Sequence, residues 1–297
     1  MFDFRLTVFH TVAKRLSFTK AAADLFITQP AVSKHIQELE QHFKTQLFER
    51  LGNKITLTGQ GRILLAYTDQ ILSLYRNMEF EMSSLSDRQK GILRLGASST
   101  VSQYVIPLAL AGFHKKYNDI KIKLLNGNTE QIEHALLDKD IDLGIIEGKS
   151  KSKGITYTEY LKDEIVLTCS SRHPLAQKPN ITIKELRDIP LLVREAGSGT
   201  LDVIAYALKP FKLNFSQLNI AMELGSTEAI KTYLRNSDCM AFISLHSISA
   251  DLSNNTLKTV NVKGLNIERF FYFIQRQGSS DPLADLFRQY VLHYNLK

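Results

Sequence analysis

The sequence predicts a multidomain α/β protein: a small basic helical module, one long helix, and a two-lobed α/β body. Three observations predict it. Residues 1–62 carry nine basic and five acidic side chains, so +4 of the net +7 of this 297-residue chain is concentrated in about its first fifth. Residues 58–90 keep one apolar seam at spacings of three and four, the mark of a single long helix. From residue 91 onward, short β-branched runs alternate with amphipathic stretches, the pattern of strands joined through helices.

Composition narrows the class. With 44% hydrophobic and 23% charged residues the chain can bury packed cores, which excludes wholesale disorder and collagen-like repeats. No apolar run nears the roughly 18 residues a membrane helix needs, so no membrane partner is expected. Arg5, His10, Lys14 and Arg15 interrupt any signal-peptide pattern over residues 1–20, and the expected compartment is the cytoplasm. Two cysteines, Cys169 and Cys239, allow neither a disulfide framework nor a four-cysteine zinc site. The basic surplus itself has two readings, a nucleic-acid-binding module or a solvated lysine-rich face.

In the first module Phe4, Val8, Phe9 and Val12 recur at helical spacing, and Ser17 ends that helix and caps the next. A short second helix covers 20–25, followed by the tight connection Phe26-Ile27-Thr28. The third helix opens at Gln29-Pro30, where proline is tolerated because first-turn amides have no helical partner. Val32, Ile36 and Leu39 form its buried stripe. Gly52-Asn53, between Leu51 and the run 54–57, predicts a hairpin. Along 58–90, Leu64, Tyr67, Ile71, Leu74, Met78 and Leu85 make the seam, with Glu81 its one break and Met82 beside it. Either the chain's own body or a second copy must cover that seam, and the second copy is the preferred reading. A hinge at 83–87, then Gly91, ends the helix. Strands are expected at 92–95, 120–125, 141–146, 164–168, 191–193, 220–224, 240–243 and 269–274. Helices are expected at 101–116, 130–137, 201–209 and 228–234. The alternation implies mostly parallel sheets, and some 200 residues exceed one such sheet, which implies two lobes around a cleft.

The most specific chemistry lies between Ser17 and Glu40. A helix that enters a DNA major groove needs one apolar stripe to hold it and short polar side chains at its N-terminal end. Here the free face carries Gln29, Ser33, Lys34 and Gln37, with Thr28 and Pro30 at the helix start. Gln29 can pair with an adenine edge, and Ser33 with a base or a phosphate. Ala21, Ala22 and Ala23 keep the preceding helix thin where two helices cross. Ser17 and Thr19 start that helix, where free amides suit a phosphate. Lys34, Arg50, Lys54 and Arg62 add phosphate contacts.

These residues, Phe9, Ser17-Phe18-Thr19, Ala21-Ala22, Leu25, Gln29-Pro30-Ala31-Val32-Ser33, Ile36, Leu39-Glu40, Leu47-Phe48-Glu49-Arg50, Leu57-Thr58 and Gly61, strongly resemble the bacterial LysR-type transcriptional regulators. The resemblance implies a winged helix-turn-helix over 1–58, a dimerising linker helix over 59–90, and an effector domain over 91–297 of the type II periplasmic-binding-protein kind. Its lobe I would take 91–162 and 267–297, its lobe II 163–266. It further implies a double-stranded DNA operator, a homodimer that doubles into a tetramer, contact with RNA polymerase, a small-molecule effector of unknown identity and no other cofactor. Two departures stand out. Lys44 occupies a position where the family usually has glycine, so the turn after the recognition helix must avoid positive φ or strain a lysine into it. Asn53 replaces a frequent basic residue at the wing tip, which shifts the wing contact to Lys54.

In the body, Ala97-Ser98-Ser99-Thr100, Arg194 to Thr200, and Gly225-Ser226-Thr227 each follow a strand and precede a helix. Strand-end hydroxyls with free helix amides make an anion cradle. The candidate effector residues are Ser98, Ser99, Thr100, Thr129, Arg194, Gly197, Ser198, Gly199, Thr200 and Thr227. The plainer reading is that each hydroxyl caps its own helix. Arg194 is either a counter-ion or a surface residue. The run Arg194-Glu195-Ala196-Gly197-Ser198-Gly199-Thr200 resembles the branch with CysL-like sulfur-assimilation and CbbR-like carbon-fixation regulators. Ser237 and Cys239 stand where many relatives have glycines. Cys239 is either a redox sensor or an inert buried thiol, the latter preferred.

Enzyme readings are weak. The Gly96–Thr100 run lacks the closing glycine of a nucleophile elbow. Ser17-Phe18-Thr19-Lys20 lies inside the DNA-reading unit, and Cys169 near His173 in sequence makes no dyad. The histidines show no paired ligand spacing, and no phosphate-binding GxxxxGK loop occurs. No catalytic activity and no metal are expected.

Overall fold

The structure, a computed structural model, describes residues 3–51, 54–84, 89–148 and 152–294. It divides into two compact units, Met1–Asp87 and Arg88–Lys297. In the first, α1 (Phe4–Arg15), α2 (Phe18–Leu25) and α3 (Gln29–Phe43) pack on one core, followed by the strands β1 (Phe48–Leu51) and β2 (Lys54–Leu57) and the helix α4 (Gly59–Ser84). Val8, Phe9, Val12, Val32, Ile36 and Leu39 are all buried in that core. The antiparallel pairing of β1 with β2 forms the expected wing, whose tip, Gly52-Asn53, lies outside the described residues.

The local chemistry follows the sequence closely. Asp3, Ser17 and Thr28 each accept a backbone N–H at their helix starts. Lys44 resolves its alternative: it takes the left-handed conformation at φ 52 and caps α3 there, so the lysine is strained into the turn. Thr58 ties the foot of the wing to α4, donating to the Gln46 carbonyl at 2.8 Å and accepting from the Gly61 amide at 2.9 Å. Gly61 must be glycine, because a Cβ there would meet the Leu47 carbonyl oxygen at 2.1 Å.

The described part of α4 ends at Ser84, and Gln89 and Lys90 are not helical, so the helix does not run to residue 90. Serines compete with the helix by bonding their own backbone, as Ser83 does with the Phe80 carbonyl at 2.8 Å. The rest of the expected hinge, residues 85–87, with Leu85 of the seam among them, lies outside the described residues.

The second unit runs β3 (Gly91–Ser98), a π-helical turn (Val101–Val105), α5 (Pro107–Lys116), β4 (Ile120–Gly127), α6 (Thr129–Leu137), β5 (Leu143–Glu147) and the long β6 (Ile155–Ser170). There follow β7 (Asn180–Ile181), α7 (Ile183–Leu186), β8 (Leu191–Val193), α8 (Gly199–Leu208), β9 (Ile220–Glu223), α9 (Thr227–Leu234) and β10 (Met240–Ser244). Then come α10 (Leu245–Ser253), β11 (Leu257–Thr259), β12 (Asn261–Val262), β13 (Ile267–Arg276) and α11 (Pro282–Tyr294).

The sheets are mixed, not mostly parallel. β4-β3-β5 is a parallel trio and so is β10-β8-β9, but β13 and β6 join them as antiparallel strands in one continuous hydrogen-bonded path. At Ile165, β6 passes from one partner to the next, facing both Ile267 of β13 and Ser244 of β10. The two lobes keep separate cores, one around Ile132, Leu136 and Ile274, the other around Leu167, Leu191 and Met240. The helix expected over 101–116 is broken: Ile106 interrupts it, Pro107 starts α5, and the residues before it take the π form.

Candidate nucleic-acid interface and ligand cleft

On the first unit, α3 buries Val32, Ile36 and Leu39 and leaves Gln29, Pro30, Lys34 and Gln37 exposed. Gln29 donates to the Ser33 hydroxyl at 2.9 Å, one helical turn away, which fixes the amide before any partner is met. The hydroxyls of Ser17 and Thr28 serve as caps to Lys20 and Ala31, while Thr19 is exposed beside them. Lys54 is exposed at the start of β2. Arg62 reaches back to the Leu57 carbonyl at 2.8 Å, so it braces the wing as well as carrying charge near it. Arg50 faces Ile55 in the register of the wing; its side chain lies outside the description.

The seam of α4 keeps Tyr67, Ile71, Leu74 and Met78 of the expected one and differs at its start. Leu64 and Leu65 pack against the core of the first unit. The exposed stripe is instead Ile63, Tyr67, Ile71, Leu74, Met78 and Met82, at 39–68% exposure. Its spacing of four, four, three, four and four keeps one face of the helix, and Met82 carries it past Glu81. A row of six bared apolar side chains marks an association surface.

In the body, the cleft residues form two groups. Arg194 donates to Thr227 Oγ1 at 3.2 Å and to Ser99 Oγ at 3.4 Å, joining lobe II to lobe I. It is 4% exposed, so it is no surface residue. Its charge is met by a two-point bond to Glu195 at 2.8 and 2.9 Å. Burial pushes the Glu195 carboxyl up, but Arg194 outweighs it and holds the group below the usual carboxylate range.

The second group gathers on Glu147. Ser98 and Thr200 donate to its carboxylate at 3.4 and 3.1 Å, and Thr129 donates to its carbonyl at 3.0 Å. Arg269 of β13 donates to Thr200 at 2.8 Å and to Asp163 of β6 at 2.7 Å, with Glu147 3.6 Å from its other nitrogen. Glu147, Asp163 and Arg269 are each at most 4% exposed. Gly199 lets α8 approach this hub, since a Cβ there would meet the Glu147 carbonyl oxygen at 2.1 Å. Gly197, at φ 80, turns the chain so that its carbonyl accepts from Glu130 at 3.3 Å.

The capping alternative separates by residue. Asn128 and Ser226 cap α6 and α9, which leaves Thr129 and Thr227 to face other groups. Ser198 sits at the N-cap of α8 with no side-chain bond to its helix, and its Oγ is buried without a partner. Thr100, 2% exposed, makes no cap bond either.

Several residues at this site were missed from sequence. Tyr104, in the π turn of lobe I, donates to Glu228 of lobe II. Lys231 stacks 5.0 Å over the Tyr104 ring and is anchored by Glu228, Asp251 and the Ser247 carbonyl at 2.8–2.9 Å. Burial, with Glu228 adding to it, raises the Tyr104 hydroxyl pKa strongly. The only sequence signal was a charge at the end of an apolar strand run, as at Glu147. A cavity of about 540 Å³ lies on the Glu147 side. It touches Thr129, Gly199, Asp202, Tyr206 and Arg269 but not Ser99, Arg194 or Thr227. The Arg194 side is closed in this arrangement, with Ser99, Thr100 and Thr227 each at most 7% exposed.

Two weaker readings are corrected or narrowed. His173 is a structural cap, accepting from the Leu175 amide at 3.0 Å and facing the Asp238 carbonyl. Burial pushes the Cys169 thiol up to about 11, away from a reactive thiolate. Cys239 is also buried. Neither Ser237 nor Cys239 adopts positive φ, so the loop does without the glycines of many relatives.

Known proteins share both units. The model described as "Bacterial regulatory helix-turn-helix protein, lysR family" matches residues 4–62, and "LysR substrate binding domain" matches 86–295. The transcriptional activator CmpR of Synechocystis is 32% identical over 97% of this chain and 94% of its own. A RuBisCO operon transcriptional regulator of Allochromatium vinosum is 31% identical over the same shares, on the carbon-fixation side of the expected branch. The regulatory domain of Synechocystis CcmR in complex with 2-PG is 28% identical, with a TM-score of 0.63 over 68% of this chain and 96% of that one.

Proposed function

This chain belongs to the LysR family of bacterial transcriptional regulators, and on that premise we propose how its own residues bind DNA and sense a ligand. The protein is a DNA-binding transcriptional regulator rather than an enzyme; its relatives are named as a transcriptional activator and a transcriptional regulator. The exposed polar start of α3 reads a double-stranded operator, with Gln29 and Ser33 on base edges. Thr28, Pro30, Lys34 and Gln37 flank them, and Ser17, Thr19, Arg50, Lys54 and Arg62 serve the phosphates. Two copies pair through the bared stripe of α4, and pairs of pairs make the working tetramer. RNA polymerase is its partner at the promoter, in the cytoplasm, and no cofactor is needed beyond the effector.

The effector is a small anion held between the lobes by Ser99, Thr100, Arg194 and Thr227, with Ser98, Thr129, Gly197, Ser198, Gly199 and Thr200 shaping the other wall. The observation that carries this reading is the Arg194 bridge, a buried guanidinium joining hydroxyls of both lobes. The hub at Glu147 has two carboxylates to one guanidinium, which repels an anion and favours the Arg194 side. Glu195, partly exposed, can swing into water when an anion takes its place on Arg194. The 2-PG seen with CcmR supports a phosphate-bearing carboxylate. A ligand acts on transcription only through unequal affinity for two arrangements of the assembly. The test is a gel shift with genomic fragments at several salt concentrations, with and without 2-PG. Salt-sensitive, fragment-selective binding that 2-PG alters, and that stops responding in Arg194→Met, is expected. Selective binding that no small anion alters would remove the cleft assignment.

A further inference from the structure

Among the described residues, Phe26 is the most exposed large apolar side chain, at 95%. Its backbone is also left-handed, at φ 55. Both features oppose stability, since a bulky residue pays sterically for that conformation where glycine or asparagine does not. The turn requires a left-handed residue here. The Phe26 amide closes onto the Ala23 carbonyl at 3.3 Å and the Ile27 amide onto Ala22 at 3.1 Å, ending α2. It does not require a ring. The flanking Leu25 and Ile27 both pack against the core, so apolar side chains in this turn can be sheltered and Phe26 is not.

Gln29, which opens α3, is three residues on. Three residues span at most about 10 Å, less than the roughly 12 Å width of the major groove. With the first turn of α3 in the groove, Phe26 lies within about 10 Å of it, a distance from which its exposed ring can reach the duplex. We propose that Phe26 belongs to the reading surface and packs its ring against the apolar parts a duplex offers there, a thymine methyl or deoxyribose carbons. The inference rests on α3 being the groove helix. The ring carries no charge, so its contribution does not change with salt, unlike that of Lys34.

The experiment uses full-length wild type, Phe26→Ala and Phe26→Gly, with Gln29→Ala and Lys34→Ala as controls. Affinities are read by fluorescence anisotropy on a duplex the wild type selects from a random pool, and on the same duplex with dU for dT. Both Phe26 variants are expected to bind the selected duplex about tenfold more weakly, with the salt slope unchanged and thermal stability equal to or above wild type. If dU substitution weakens wild type but not Phe26→Ala, the contact is a thymine methyl; if both respond alike, it is deoxyribose. Wild-type affinity in both Phe26 variants overturns the proposal, as does a loss that comes with lower thermal stability. Should the Gln29 and Lys34 controls also bind like wild type, the groove placement of α3 itself fails, separately from Phe26.

Discussion

The two units meet one local problem in different ways. Among the described residues, left-handed backbone falls on Leu16, Phe26 and Lys44 in the first unit, none of them glycine. Among those of the body it falls on Gly148, Gly154, Gly197, Gly264 and Gly278, with Lys139, Lys212 and Asn255 besides. The first unit thus strains its backbone and keeps its side chains outward. The body gives most of its left-handed positions to glycine and places its difficulty inside, as buried charge between Glu147, Asp163 and Arg269. A surface that grips a partner needs side chains at its turns; a cleft that opens and closes needs polar groups that can exchange partners.

The largest effect expected from this contrast is at the hub. Arg269→Met leaves two buried carboxylates without their cation, a loss of about 3–5 kcal/mol for a broken buried pair. Chemical denaturation of the full chain should show an early transition of the body with the transition of the first unit unmoved. If Arg269→Met unfolds no earlier than wild type, the buried charges are not where the body carries its cost.

A smaller effect separates two serines at helix starts. Ser17 caps α2 through the Lys20 amide at 3.3 Å, so Ser17→Ala should destabilise by about 1 kcal/mol. Ser198, at the start of α8, is fully buried with an unpartnered hydroxyl. Ser198→Ala removes an unsatisfied group and should be neutral or slightly stabilising. Thermal melts of the two variants check the pair, and equal losses would erase the distinction between a capping serine and a cleft serine.

The same contrast explains what the sequence could convey. The stripe Val32, Ile36 and Leu39 and the caps Ser17 and Thr28 were legible because their partners lie within a turn or two of the same chain segment. β6 was expected over five residues and has sixteen, because its first half buries no residue fully and sets exposed Thr156, Glu159 and Lys162 between half-buried ones, without the period of two that marks a strand. α11 carried a readable period, Leu283, Ala284, Phe287 and Val291, and α10 a shorter one, Leu245, Ile248 and Leu252, and both went unread. The hydroxyls of the cleft were found through their strand-to-helix positions. Their partners were not: Arg269 meets Asp163 across 106 residues, and no local pattern records that. Arg194 was seen as a possible counter-ion, but that Glu195 already neutralises it depends on rotamers rather than order in the chain.

The smallest effect is the most direct measure of strain. Lys44 holds φ 52 and ψ 40 at the end of α3, and the Thr45 amide bonds the Glu40 carbonyl at 3.0 Å to complete the cap. Glycine reaches that conformation without the Cβ clash, although it loses more freedom on folding. The net for Lys44→Gly is a gain of about 0.5–1 kcal/mol in the first unit. The lysine is exposed at the far end of α3 from Gln29, and its removal takes away one positive charge. A more stable variant with a shallower salt dependence of DNA binding would mean that the lysine is kept for phosphate attraction despite its strain. A more stable variant with an unchanged slope would leave that charge without a role on DNA. A less stable one would show that the left-handed turn is not strained by its side chain, and the contrast between the two units would rest on the hub alone.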